Sequence, residues 1–135
     1  KQVHQTFSSN HLLFEQKGIA VIPAFLRDEY NSEPATDLID ISTIKALIHS
    51  HSNWSDGSNT IEEMANECIK KGWQYMVISD HSKSAGYANG LGVERIEAQH
   101  RYIDELNDKL KPFRIFKSIE ADILGDGSLD YEEEI

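Results

Sequence analysis

From residue 44 onward, the hydrophobic and polar positions fall into two alternating regular patterns. A mostly apolar run over residues 44 to 51 reads as a strand. Over residues 60 to 71 the apolar positions take helical spacing, with Ile61, Met64, Ala65, Cys68 and Ile69 on one face. Thr60 and Glu63 have the spacing of a capping box, and Gly72 suits the position just past the helix end. A second apolar run, residues 73 to 79, predicts a buried strand. Val93, Ile96, His100, Ile103, Leu106 and Leu110 then mark a second amphipathic helix, which Pro112 stops by about residue 110. Residues 113 to 120 read as a third strand. Strand, helix, strand, helix, strand predicts an α/β fold with a parallel sheet. Right-handed crossovers place all three C-terminal strand ends on one side, where α/β sheets keep their active sites.

The first 40 residues are less regular. Residues 1 to 17 read as a short helix, and residues 18 to 23 as a brief strand closed by Pro23, which has no N–H to donate. Residues 28 to 43 are rich in Asn, Ser, Glu, Pro, Thr and Asp, as a linker is. A domain boundary is therefore expected near residue 40, dividing 1–40 from 41–135.

Composition narrows the function classes. With 135 residues, 39% of them hydrophobic and 27% charged, the chain can bury one modest core and is ordinary for a globular protein. No apolar run approaches the length needed to span a bilayer, so no membrane role is expected and a cytoplasmic location is. The single cysteine, Cys68, excludes an intrachain disulfide and reads as a small buried apolar residue. A formal net charge of -10 argues against this segment alone gripping nucleic acid strongly. The acidic stretch at residues 126 to 134 carries no base and reads as a solvated tail.

The chemistry gathers at the strand ends. His49 and His51 flank Ser50, and on a strand such alternate residues share a face. Imidazole suits zinc, iron or manganese better than calcium or magnesium. Asp56 lies in a turn-forming segment just beyond, where its carboxylate can fold back towards those histidines. His81 ends the second strand, and Glu120 ends the third. Three successive strands thus each deliver a metal-type ligand at their C-terminal ends. Asp80 and Asp122 sit beside two of these positions and read as groups that orient a ligand. Ser82, Lys83 and Ser84 are able to contact phosphate through hydroxyl, ammonium or backbone N–H groups. His100 belongs to the apolar seam of its helix and reads as a packing residue.

These residues give the chain a family resemblance. His49-Ser50-His51 with Trp54-Ser55-Asp56-Gly57 resembles the first motif of the PHP (polymerase and histidinol phosphatase) family. Ile78-Ser79-Asp80-His81-Ser82 resembles the second, and Ile119-Glu120 matches the position of the family's bridging glutamate. Asp80 to Ser84 leading to Ala88-Asn89-Gly90-Leu91, and Asp122-Ile123-Leu124 leading to Asp126 through Asp130, favour the branch found in bacterial family-X DNA polymerases. Residues 18 to 29 are similar to the end of the polymerase module.

The resemblance implies a distorted (β/α)7 barrel, of which about the first three βα units are present, preceded by a short tail of the polymerase module and its linker over 1–40. It further implies phosphoester hydrolysis with up to three divalent ions, zinc or manganese, and 3′-to-5′ exonuclease or related DNA-end processing in DNA repair. His49 and His51 would hold one ion, Glu120 would bridge it to a second, and Asp56 with His81 would hold the third. DNA would be met through the parent polymerase. The family's later motifs, two single histidines and a final Asp-x-His, would lie beyond residue 135, so this segment is expected to be inactive alone, and its uncovered sheet edge to allow self-association. Two other functions stay open: a non-catalytic PHP-like interaction module, and a phosphatase acting on a small monoester such as histidinol phosphate. The chain departs from its relatives in having Leu47 where an acidic residue is frequent, and in having no base in Ala85-Gly86-Tyr87.

Overall fold

The computed structural model describes residues 16–18 and 39–131. The helix expected over residues 1 to 17 and the strand over 18 to 23 fall almost entirely outside them. The chain divides into two units, Lys1–Ile41 and Ser42–Ile135, and everything below belongs to the second.

That unit is α/β, as the alternating pattern predicts. Strand β1 (Ala46–Ser50) is followed by helix α1 (Ile61–Lys70), strand β2 (Tyr75–His81), helix α2 (Val93–Lys109) and strand β3 (Arg114–Glu120). The strands form one sheet in the order β1-β2-β3, and both pairings are parallel. The strand limits shift by one or two residues: β1 begins at Ala46, β2 at Tyr75 and β3 at Arg114, each later than its apolar run. β1 ends at Ser50, which leaves His51 just outside it, and β2 runs on to include Asp80 and His81. Buried Ser79 and Asp80 replace apolar side chains at the end of β2, and the strand closes at His81, the residue expected to end it.

Both ends of α1 are closed by local chemistry. The Thr60 hydroxyl accepts from the Glu63 N–H at 3.1 Å, and the Glu63 carboxylate accepts from the Thr60 N–H at 2.8 Å. The reciprocal bonds hold the Glu63 carboxyl below its ordinary value, the Thr60 backbone bond first and the hydroxyl second. At the other end Gly72 takes φ 74°, a conformation easy only for glycine. Its N–H donates to the Ile69 carbonyl and the Trp73 N–H to that of Cys68, the paired bonds of a Schellman ending.

The core lies between the two helices and one face of the sheet. Met76 and Ile78 of β2 and Ile115 of β3 pack against Ile61, Ala65 and Cys68 of α1 and against Ile103 and Leu106 of α2. Cys68 is buried as expected, and loss of hydration pushes its thiol pKa up. Each fully buried aliphatic side chain here contributes about 1.5–3 kcal/mol. Ile69, read as part of that face, is instead 40% exposed. Val93, at the start of the second seam, is likewise partly exposed. The buried Asn107 side chain bonds both the N–H and the carbonyl of Ile115, fastening β3 to α2. On the opposite face Ile48 and Phe116 are exposed, with Tyr75 packed edge-on against Phe116.

Candidate metal centre

The first histidine pair is built on an irregular strand end. Ala46 and Leu47 pair with Tyr75 and Met76, but the next partner of β2, Ile78, faces Ser50. Three steps along β1 thus match two along β2, so β1 carries one extra residue. His49 occupies this bulge with φ 61°. Simple alternation is therefore not what gathers the pair. The bulge turns His49, His51 follows beyond the strand, and the two rings stack with centroids 5.5 Å apart.

Glu120 is reached through the register of the sheet. It is the pairing partner of His81, so the two strand ends lie side by side. Its Oε2 lies 3.0 Å from His51 Nε2, 3.2 Å from His49 Nε2 and 3.6 Å from His81 Nδ1. Three imidazoles therefore surround one carboxylate oxygen. Asp56 stands on the other side of two of them, with Oδ1 3.2 Å from His51 Nδ1 and Oδ2 3.6 Å from His81 Nε2. The His51 and His81 rings meet edge to face at 4.3 Å, and each spans from Glu120 to Asp56 through its two nitrogens.

Two groups result: His49, His51 and Glu120 form one, and His51, Asp56 and His81 the other. Within each group, ligand atoms from all three residues lie within 4.8 Å of one another. All five residues singled out at the strand ends are thus brought together, and His51 stands in both groups. Neutral imidazole nitrogens and ionised carboxylates are donors suited to zinc, manganese and similar ions, and the donor set fits such an ion.

Asp56 is placed by its loop, and the loop by Asp80. The Ser52 carbonyl accepts from the N–H groups of Ser55 and Gly57. The turn is so close that a Cβ on Gly57 would lie 2.2 Å from the His51 carbonyl oxygen. Beneath it, fully buried Asp80 accepts from the Ser52 N–H at 2.7 Å, the Ser52 hydroxyl at 2.6 Å, the Ser55 hydroxyl at 2.5 Å and the Gln99 amide at 2.6 Å. One carboxylate on β2 therefore ties the Asp56 loop to both the sheet and α2. Ser52, Ser55 and Gln99 escaped the sequence reading. Gln99 did leave a signal: it is the polar position between Ile96 and Ile103 on the apolar stripe of α2.

A second carboxylate does the same for the other loops. After β3, Ile123 and Leu129 pair across a tight turn that returns Asp130 to the strand ends. Asp130 is buried, which corrects the expectation of a solvated acidic tail at this position. It accepts from the N–H groups of Ser84 at 3.0 Å and Asp122 at 3.2 Å. Burial pushes its pKa up, but hydrogen bonds from Ser82, Ser84 and Asp122 outweigh that effect and hold it below the ordinary carboxylate value. Ser82 is buried, its hydroxyl accepting from the Asp122 N–H, while the Ser84 hydroxyl donates to the Asp122 carboxylate. The Lys83 N–H donates to the Tyr131 hydroxyl, and its ammonium lies 5.5 Å from the centre of that ring. The backbone N–H groups of Lys83 and Ser84, expected to be free for phosphate, are thus already engaged within the fold. His100 is half-buried on α2 outside the cluster; burial, and then the Lys117 charge, lower its pKa.

Imidazoles and carboxylates converging where parallel strands end are a donor set suited to a divalent metal ion. Residues 48–128 match the family model of the PHP domain. Over 135 aligned residues the chain is 43% identical to the DNA polymerase/3'-5' exonuclease PolX of Bacillus subtilis (strain 168), an alignment covering 97% of this chain and 24% of that protein. The chain belongs to the PHP domain family, whose members are metal-dependent, hydrolase-type domains, and it spans about a quarter of the length of this relative. Among the described residues, no helix is long and apolar enough to cross a membrane.

Proposed function

We propose that residues 41–135 are the first part of the phosphoesterase domain of a family-X DNA polymerase, removing nucleotides from DNA 3′ ends with zinc or manganese bound. Residues 1–40 are then the end of the polymerase module and its linker, and the three strands open a larger PHP barrel. The observation that carries this reading is that His51 and His81 each reach both Glu120 and Asp56, which brings two three-residue groups to one place.

Bound divalent ions supply Lewis acidity to a phosphoester and lower the pKa of nearby water. The protein's own contribution is to hold the donors. Glu120 places one carboxylate oxygen between His49, His51 and His81, and the exposed edge of Asp56 closes the other side. Asp80 keeps the Asp56 loop from drifting, and Asp130 keeps the loops after β2 and β3 in register with it.

The test uses the full-length protein with zinc or manganese and a single-stranded oligonucleotide labelled at its 5′ end. Stepwise, metal-dependent shortening from the 3′ end is expected, with at least a hundredfold loss in His51→Ala. Shortening that survives metal chelation, or an unimpaired His51→Ala protein, rejects the proposal.

A further inference from the structure

Tyr87 is the most exposed tyrosine among the described residues, with 89% of its surface in solvent, yet its surroundings are firmly built. It lies in a short 3-10 turn, Gly86–Ala88, in which Ala88 is buried, as is Ala85 just before it. The Gly90 N–H donates to the Ala85 carbonyl, and a Cβ on Gly90 would lie 1.8 Å from the Ser82 carbonyl oxygen. Asn89, at φ 54°, donates to the carbonyls of Trp54 and Ser55, both at 3.1 Å. Arg95 bonds the Asn89 and Gly90 carbonyls and that of Trp54. The turn that presents Tyr87 is therefore cross-linked to the loop that carries Asp56. The ring stands beside His81, with centroids 6.2 Å apart and planes inclined at 59°. A large aromatic ring, left in water on a rigid turn beside the candidate centre, offers an open π-face rather than a share of the core.

We infer that Tyr87 is a stacking platform for the nucleobase of the nucleotide whose phosphate occupies the His81 side of the cluster. This rests on the phosphoesterase reading, and it adds a recognition element made by neither charge nor metal. The segment has a net charge of -10 and no base in the turn 85–87. Grip on a polyanion at this point therefore has to come from elsewhere, and stacking supplies it without regard to base identity, since every base has a π-face. The occupant is an unpaired 3′-terminal nucleotide, because a base inside a duplex presents only its edges.

The test again uses the full-length protein, with a single-stranded oligonucleotide carrying 2-aminopurine at its 3′ end. Binding to the wild type should quench the fluorophore; Tyr87→Phe should keep the quenching and Tyr87→Ala should lose it. In turnover, Tyr87→Ala should raise KM about tenfold at little cost in kcat. That difference should vanish on an oligonucleotide whose 3′ residue lacks its base. Wild-type quenching and KM in Tyr87→Ala overturn the inference, as does a wild type that never quenches. Absence of hydrolysis by the wild type would instead reject the phosphoesterase reading, while the quenching comparison still decides the stacking.

Discussion

Asp80 takes both hydrogen bonds that Ser52 donates, one from its backbone N–H and one from its hydroxyl. The residue following His51 is thereby fixed in position and orientation by a carboxylate one residue before His81. Two strand ends that each carry a metal-type histidine are held together by polar groups lying just beneath them.

Replacing Asp80 with alanine should cost about 2–4 kcal/mol, because donors from Ser52, Ser55 and Gln99 would be left buried without an acceptor. Urea denaturation should show a lower midpoint with little change in slope. Zinc affinity of Asp80→Ala, read by calorimetry, should fall about 10–100-fold through loss of ligand orientation. Full wild-type stability in this variant would contradict the clamp.

Asp130 predicts a pH dependence. Its folded carboxyl has a pKa below the ordinary value of 3.8, so the folded state holds that proton less tightly than the unfolded chain does. The stabilisation is therefore present above the ordinary value and lost as pH falls through the depressed one. Asp130→Asn should lower stability at neutral pH and flatten its decline below about pH 4. Urea midpoints measured across the acid range check this, and an acid limb as steep as that of the wild type would count against it.

Gly57 is required by contact rather than by conformational freedom. A methyl at its Cβ would overlap the His51 carbonyl oxygen and the Ser52 carbonyl carbon, and both atoms belong to the backbone. Gly57→Ala should destabilise by about 1–3 kcal/mol, the range of an overpacked site, and weaken metal binding by moving Asp56. Thermal unfolding with and without zinc should show both the lower midpoint and a smaller shift on adding metal.

Much of the fold was legible because its periods are clean. The capping box at Thr60 and Glu63, the glycine ending at Gly72 and the apolar seam of α2 are local signals that tertiary packing did not override. The positions of His81 and Glu120 at neighbouring strand ends followed from the element order alone. What stayed hidden depended on burial of polar groups. Asp80 and Ser82 stand out in the sequence beside His81, but nothing there marks their burial, and Asp130 looks like one charge in an acidic run until a turn folds it inward. The bulge at His49 was invisible for another reason: a two-residue period has no way to mark an inserted residue.

That bulge sets two demands against each other. At φ 61° a histidine holds a backbone conformation that costs about 1–2 kcal/mol in a residue with a Cβ, whereas glycine adopts it freely. His49→Gly should therefore be more stable than His49→Ala by about 1 kcal/mol in urea unfolding, while both lose the same imidazole. Laboratory evolution for heat resistance alone should drift towards glycine here, discarding an imidazole to relax the chain. Persistence of histidine under such a screen, with no metal supplied, would mean that the ring also supports the fold.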